Sequence, residues 1–312
     1  MLNEKILNKK YFYILAVSGG PDSMFLLDKM WSLNYNFAVA HVNYHQREES
    51  NEDEALVRKY CQVQNLPFFT YRFKKYSQKK NFQAEAREIR YSFFQTIAQQ
   101  WQSRHIITAH HFDDHLETYY LQKKRKSLVE HWGLAPKICW KNDKIKKIWI
   151  LRPLLSVKKK QIYRYLTQKK IPYAVDKTNY LPLYQRNIVR QKINGLSEAE
   201  KKNIQNEIQQ KNRELCQIKK LLKKQIGKII INSSFNLAIW ETGSPELKLR
   251  LLYHWINQNT NNAFVNRKRQ IYSEVSKQLT SPKKKITIIL NKNYQIKKNY
   301  PWAILERKLT LV

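Results

Sequence analysis

The stretch LAVSGGPDSMFLL, residues 15–27, sets a glycine pair, a proline, an aspartate and two serines between apolar runs. A β-rich run precedes the glycines and a helical pattern follows them, and proline suits the first position of a helix. Free N–H groups at a helix start attract anions, and glycine lets a phosphate approach the backbone. The predicted phosphate-binding residues are Ser18, Gly19, Gly20, Pro21, Asp22 and Ser23.

The aspartate of this loop needs a separate explanation, because a carboxylate repels phosphate unless a cation lies between them. Mg²⁺ accepts oxygen atoms from carboxylates and phosphates alike. Asp22 is therefore a candidate Mg²⁺ ligand. The alternative is that it only complements the positive end of the helix dipole.

A second group of candidate residues lies in the motif HHFDDHLET. Asp114 and Glu117 are three residues apart and Asp113 and Glu117 are four apart, so they share one face of a helix. Neighbouring acids in a basic protein suggest a bound cation, either Mg²⁺ or an ammonium group. His111 and His115 could instead form a zinc pair, although hard carboxylate ligands and the absence of nearby thiolates disfavour zinc. The acids could also merely complement a helix start.

The elements that would position these residues alternate between strand and helix. Apolar β-rich runs at 11–17, 37–42, 66–73, 104–109 and 147–155 alternate with helical patterns at 22–33, 51–64, 84–101 and 113–122. This order predicts a mostly parallel sheet in a Rossmann-like α/β domain. Ligands bind outside the carboxyl ends of such strands, where the phosphate loop and the acidic motif both fall.

The rest of the chain does not continue this alternation of strand and helix patterns. The sequence predicts a basic insertion at residues 124–146, a helix at 156–169 and a polar loop at 171–187. A polar helical stretch at 197–224 is predicted to link to a second unit.

The C-terminal part reads as a smaller α+β domain. In residues 228–312, β-like pieces such as FNLAIW and KKITIIL surround one apparent helix at 245–257. The predicted domains are therefore 1–215, which carries the phosphate loop, and 216–312.

Charge indicates the class of partner. Lysine and arginine number 58 against 24 aspartates and glutamates, a formal net charge of +34. Such an excess is typical of proteins that bind nucleic acid. Codon bias in an A/T-rich genome is the alternative, but it should also raise glutamate, and acids are scarce here.

Composition indicates a protein outside membranes. ITIIL at 286–290 is among the longest apolar runs and has strand length, against the roughly 18–20 residues of a membrane helix. The first ten residues lack the apolar stretch of a signal peptide. Cys61, Cys139 and Cys216 form no CxxC pair. We expect a cytoplasmic protein with reduced thiols and no membrane partner.

Six motifs occur in the order found in the tRNA(Ile)-lysidine synthetase family, and over residues 11–193 the chain resembles that family. They are SGGPDS, HVNYHQR, AREIRY, HHFDDHLET, LRPLLSVKKKQI and DKTNYLPLYQRNIVR. The SGGPDS motif alone marks the wider group of PP-loop ATP pyrophosphatases, whereas the combination of motifs is specific to this family. The resemblance implies an adenine nucleotide α-hydrolase-like fold. One departure is Tyr44, which stands where the usual pattern has histidine directly after asparagine.

The resemblance also implies a reaction. The family adenylates carbon 2 of the first anticodon cytosine of the isoleucine tRNA with a CAU anticodon. L-Lysine then displaces AMP, which changes codon reading from AUG to AUA. ATP and Mg²⁺ are the implied substrate and cofactor, tRNA(Ile) and lysine the implied partners, and a homodimer is compatible with the family. The resemblance also implies that residues 1–215 form the catalytic PP-loop domain and residues 216–312 a tRNA-recognition domain.

Residue roles carry over motif by motif as what the resemblance implies. The loop from Ser18 to Ser23 would bind ATP. Asp22 and Asp114 would organise Mg²⁺ and, with Glu117, form the catalytic group. Lysine would be recognised by Asp113, Asp114 and Glu117. The remaining basic positions would hold phosphates or the tRNA backbone, and they are Arg87, His111, Arg186 and Arg190.

The main alternative is a tRNA thiolation enzyme of the same PP-loop group. Such enzymes use reactive cysteines or a cysteine-bound cluster, whereas Cys61, Cys139 and Cys216 fall outside the motifs. An amidating synthetase for a small molecule is a weaker alternative, because it would not need the basic charge. A non-enzymatic RNA-binding module is also weaker, because it would not need Asp22.

Overall fold

The protein forms two compact units in a computed structural model. One unit is Met1–Thr118 with Leu134–Leu196, and the other is Tyr119–Gly133 with Ser197–Val312. The residues that the structure describes are 2–45, 49–73, 82–142, 145–175, 185–231, 233–261, 263–265 and 267–308.

A six-stranded sheet forms the centre of the first unit, in the order β3-β2-β1-β4-β6-β5. Its strands are β1 (Phe12–Ala16), β2 (Asn36–Asn43), β3 (Phe68–Arg72), β4 (His105–Ile107), β5 (Lys137–Asn142) and β6 (Ile145–Leu151). All neighbouring strands are parallel except β5, which pairs antiparallel with β6 at the edge. The five predicted strands and the α/β class are confirmed. Strand β5 was not expected, because it lies within the basic insertion.

Helices lie between these strands and after the last of them. They are α1 (Pro21–Ser32), α2 (Ser50–Val63), α3 (Phe82–Gln100), α4 (Phe112–Arg125), α5 (Lys159–Lys169) and α6 (Gln185–Asn194), after a short 3-10 helix at Glu4–Ile6. Helix α6 begins within the stretch predicted as a polar loop, and residues 176–184 of that stretch lie outside the described residues.

The sheet is buried on both faces. Tyr13 and Leu15 of β1 belong to a core shared with α1, α2 and α5, while Ile14 belongs to a core on the opposite face shared with α3. Strand order reverses between β1 and β4, and a crevice opens at such a reversal outside the carboxyl ends of the strands. The phosphate loop follows β1 and the acidic motif follows β4, so both lie at this crevice.

The second unit is α+β, as the sequence predicted. Its elements are α7 (Glu198–Ile229), β7 (Ile230–Ile231), β8 (Ser234–Asn236), α8 (Leu237–Trp240), α9 (Pro245–Asn259), α10 (Arg269–Leu279), β9 (Lys285–Ile289), β10 (Tyr294–Asn299) and β11 (Trp302–Arg307). The strands form an antiparallel sheet in the order β7-β8-β11-β10-β9. Much of FNLAIW is helical instead of extended, because Asn236 accepts a hydrogen bond from the Ile239 N–H and caps α8. Helix α10 and strand β10 were not predicted.

Part of the basic insertion belongs to this second unit. Leu128 is buried in its core. The Trp132 N–H donates to Asn212 Oδ1 at 2.9 Å, and Asn212 Nδ2 donates to the Trp132 carbonyl at 3.0 Å. The predicted boundary at 215/216 falls inside α7, whereas the compact units divide at 196/197. The reason is that Ser197 caps a single helix that continues for 32 residues.

The sequence predicts no membrane-spanning helix, and the helices of the described residues can be compared with that prediction. None of them is long and apolar enough to cross a bilayer.

Candidate active site

The phosphate loop is held in shape by its own hydrogen bonds. Gly19 has φ +90°, in the region that favours glycine, and its carbonyl accepts a hydrogen bond from the Ala174 N–H at 2.9 Å. The Ser23 hydroxyl donates to the Gly20 carbonyl at 2.9 Å and lies 3.2 Å from the Ser18 hydroxyl. Helix α1 then begins at Pro21, so its free N–H groups face the crevice.

We expect Gly19→Ala to destabilise the protein by about 1–3 kcal/mol, because a β-carbon is strained at this φ and would lie 3.2 Å from the Asp53 carbonyl oxygen. Gly20→Ala is the matched control, since Gly20 has φ −71° and a β-carbon there meets only the Ser18 hydroxyl at 3.6 Å. Thermal or denaturant unfolding measures both. Equal stability of the two variants would contradict the expectation.

Two carboxylates and a histidine meet at the crevice. His111 Nε2 lies 3.6 Å from Asp22 Oδ2 and 3.5 Å from Asp114 Oδ2. The Asp113 N–H donates to His111 Nδ1 at 3.1 Å, so Nδ1 acts as an acceptor and Nε2 faces both carboxylates. The structure thus brings together the predicted metal ligands Asp22 and Asp114.

The electrostatics of this pair suit a bound cation. Burial raises the pKa of Asp22, while His111 opposes that rise and Asp114 adds to it. Burial would also raise the pKa of Asp114, but His111, His110 and the hydrogen bond from the His111 N–H together lower it. Asp22 Oδ1 is buried and finds no hydrogen-bond partner among the described residues.

The donor set fits Mg²⁺ better than a metal held by protein alone. In the part of the chain that the structure describes, no group of three or more histidine, cysteine, aspartate or glutamate side chains is placed to hold a metal. Mg²⁺ is commonly held by one or two carboxylates together with substrate phosphates and water. Asp22 and Asp114 supply that number, beside a loop built for phosphate.

Glu117 has a different environment from the one predicted. Its carboxylate is almost fully buried; it accepts a hydrogen bond from Arg186 Nε and lies 3.5 Å from Arg190 Nε. A carboxylate already paired with two guanidinium groups must give up a partner before it can bind an ammonium group.

Two cavities of about 340 Å³ each flank the loop, and Ser18, Gly20, Asp22 and Asp114 line both. The acidic cavity is further lined by Asp53, Asp113, Glu117, Lys159, Tyr163 and Arg190. The aromatic cavity is further lined by Tyr44, Arg87, Arg90, Tyr91, Phe94 and His110. The four predicted basic residues are thus dispersed, with His111 and Arg190 at the acidic cavity, Arg87 at the aromatic cavity and Arg186 beside Glu117.

Several lining residues were missed in the sequence. His110 contacts the Thr108 hydroxyl at 2.8 Å, and burial lowers its pKa to about 4, so its ring is neutral at pH 7. Arg90 Nε donates to the Tyr44 hydroxyl. Lys159 and Arg90 lie within motifs of the family resemblance, which was the signal available for them. His45 has an exposed side chain, and Arg47 of the same motif lies outside the described residues.

The zinc and thiol alternatives find no support in this geometry. His115 Nδ1 accepts a hydrogen bond from the Leu134 N–H at 2.9 Å, so this nitrogen is already engaged. Cys61 is buried and burial raises its pKa to about 12, whereas Cys139 and Cys216 are exposed. None of the three lines either cavity.

Comparisons with known proteins agree with this architecture. Residues 2–196 match the PP-loop domain family. The tRNA(Ile)-lysidine synthase of Mycoplasma mycoides is 37% identical over 306 residues, covering 94% of this chain and 73% of that protein. The enzyme of the same name from Mesomycoplasma hyopneumoniae is 42% identical over 185 residues, covering 59% of this chain and 60% of that protein.

A solved structure shares the fold. The U34-tRNA thiolase of Methanococcus maripaludis superposes with a TM-score of 0.55 at 16% identity, covering 69% of this chain and 74% of that one. At this identity the likeness concerns the fold and carries no conclusion about thiolation. Because a PP-loop domain spans residues 2–196 and a 37% identical relative matches 94% of this chain, the chain belongs to the tRNA(Ile)-lysidine synthase family.

Proposed function

We propose that this protein is an ATP-dependent ligase that joins L-lysine to carbon 2 of the wobble cytosine in tRNA(Ile) with a CAU anticodon. The observation that carries the proposal is the meeting of the phosphate loop with Asp22 and Asp114 at the reversal of strand order, in a chain of this family. The homodimer stays a prediction.

ATP is proposed to lie across the loop, with its nucleoside in the aromatic cavity. Phe94, Tyr91 and Val42 give that cavity an apolar side suited to a base. The triphosphate would receive hydrogen bonds from the N–H groups at the start of α1 and from the serine hydroxyls. Asp22 and Asp114 would hold Mg²⁺, which neutralises charge on the phosphates when bound.

The chemistry proceeds in two displacements. The oxygen on carbon 2 of cytosine attacks the α-phosphorus and pyrophosphate leaves, so that oxygen becomes part of a good leaving group. The neutral ε-amine of lysine then attacks carbon 2, and AMP leaves with the oxygen. Because free lysine carries an ammonium group, a carboxylate must accept its proton first.

Lysine is proposed to enter the acidic cavity. Asp113 lies at one side of it and would receive the ammonium group, while Lys159 offers a positive charge for the α-carboxylate. Glu117 is proposed to contribute through Arg186 and Arg190, whose guanidinium groups it orients towards tRNA phosphates.

The experiment that tests this function uses total tRNA, ATP and labelled lysine. We expect label to enter isoleucine tRNA, with AMP and pyrophosphate as products. A thiolation enzyme would incorporate no lysine, and replacing all three cysteines by serine would abolish its activity. Release of ADP and orthophosphate would overturn the proposal, because it would show cleavage at the wrong phosphate bond.

The affinity for tRNA should fall steeply with salt. If the protein neutralises about six phosphates, the plot of log affinity against log salt concentration should have a slope of about −4 to −5. Filter binding from about 50 to 300 mM KCl would measure it. A slope near zero would mean that the charge of +34 reflects codon bias instead of tRNA contacts.

A further inference from the structure

The antiparallel sheet of the second unit has one covered face and one open face. Ile288, Ile296 and Ala303 point into a core that includes residues of α9 and α10. The alternate positions point the other way, and we call them the outer face. It consists of Lys285, Thr287, Ile289, Gln295, Lys297, Asn299, Trp302, Ile304 and Glu306.

The outer face carries apolar groups that the core does not use. Ile289 is 66% exposed and Ile304 is 46% exposed. Trp302 pairs with Asn299 across the strands and is half-buried. Nearby Tyr300 is 44% exposed. Exposed apolar and aromatic side chains gathered on one face mark an interaction surface.

Charge determines what kind of partner suits this surface. Residues 267–308, which contain most of the sheet, hold 12 lysines and arginines against two glutamates. Lys285 and Lys297 lie on the outer face itself, and Lys283, Lys284 and Lys292 are exposed at the ends of the hairpin. A polyanion is therefore the complementary partner.

Lys297 is available to such a partner although it has an ion pair. Its Nζ lies 2.8 Å from Glu306 Oε2, and both side chains are partly exposed. Exposed pairs of this kind contribute little to stability, so the amine can exchange Glu306 for a phosphate.

Lysines at a sheet edge also discourage strand pairing between molecules, and β9 is an edge strand. That role accounts for Lys283–Lys285. It does not account for Lys297, which lies on the inner strand β10, or for the aromatic side chain of Trp302 on β11.

We propose that the outer face binds tRNA, with phosphates on Lys285 and Lys297 and exposed bases or riboses against Trp302 and Ile304. Aromatic and apolar sheet faces accept unstacked bases in this way, and lysines follow the backbone. The inference rests on the proposed function, since it gives the second unit of a tRNA-modifying enzyme its contact surface.

Lys285→Gln combined with Lys297→Gln tests the charged part. We expect affinity for tRNA to fall about tenfold near 0.15 M salt and the salt slope to shrink by about 2, one for each lost phosphate contact. Lys268→Gln combined with Lys277→Gln is the matched control. It removes the same charge from α10, whose Tyr272 and Val275 pack on the covered side of the sheet. The control should keep the wild-type slope.

Ile304→Ser tests the apolar part. Because Ile304 is exposed, the fold should tolerate serine, and affinity should fall several-fold without a change of salt slope. Equal effects of the two lysine pairs, or wild-type affinity in all the outer-face variants, would overturn the inference and leave the face to a protein partner. Failure of the proposed function would look different, because the wild-type protein would then incorporate no lysine into isoleucine tRNA, whatever its affinity for that tRNA.

Discussion

Asp22→Asn is expected to slow pyrophosphate release by at least about 10³-fold. The reaction at the α-phosphorus depends on neutralising phosphate charge, and contributions of this size are usual for groups that stabilise a charged transition state. Asp22 also has a buried oxygen without a partner among the described residues, which indicates a place for a cation. Asparagine keeps the shape of the side chain and removes the charge that would hold Mg²⁺.

ATP binding gives this prediction a second readout. Without Mg²⁺, Asp22→Asn should bind ATP as well as the wild type or better, because a carboxylate beside the triphosphate has been removed. With Mg²⁺, the wild type should gain affinity and the variant should not. Asp113→Asn is the control, which we expect to keep pyrophosphate release within about tenfold and to impair the lysine step. A near-normal rate for Asp22→Asn would remove Asp22 from the chemistry.

The second prediction concerns which part of the chain folds alone. A fragment of residues 1–215 should be unstable, because it keeps Leu128 but loses α9 and the other residues of the core that buries Leu128. It also keeps Val129, whose carbonyl accepts a hydrogen bond from Arg250 in the intact chain. Such a fragment should aggregate or unfold well below the melting temperature of the whole protein.

A trimmed fragment should behave differently. Residues 1–118 joined directly to 134–196 reproduce the first unit without the insertion. The Leu134 N–H donates to His115 at 2.9 Å, so a linker of about four glycine and serine residues can close the gap. We expect this fragment to melt cooperatively and to bind ATP but not to select tRNA. If the 1–215 fragment were equally stable, the division of the chain at 196/197 would be incorrect.

The parallel sheet and its ligand edge could be predicted because their signals are local. Apolar runs such as YFYILAV become buried central strands, and glycine followed by proline marks where a strand turns into a helix. The proximity of Asp22 and Asp114 could also be predicted, because both residues follow strands that end at the same edge of the sheet. Strand β5 was not predicted, because its lysines resemble those in the rest of the basic insertion.

Other features depended on contacts between distant residues, which no local pattern reveals. Glu117 and Arg186 are 69 positions apart, so their ion pair could not be anticipated, and it changes the expected role of Glu117. The residues near Leu128 look like a surface insertion in the sequence, and only the folded core shows that they belong with α9. For the same reason, the predicted boundary at 215/216 differs from the division of the compact units at 196/197.

The central claim is that ATP activates the tRNA before lysine enters, and one labelling experiment tests it most directly. The protein is incubated with tRNA(Ile) and ATP labelled at the α-phosphate, in the absence of lysine. The proposed mechanism predicts label on the tRNA and release of unlabelled pyrophosphate, followed by discharge of labelled AMP when lysine is added. No label on the tRNA, or labelled ADP as the product, would contradict it.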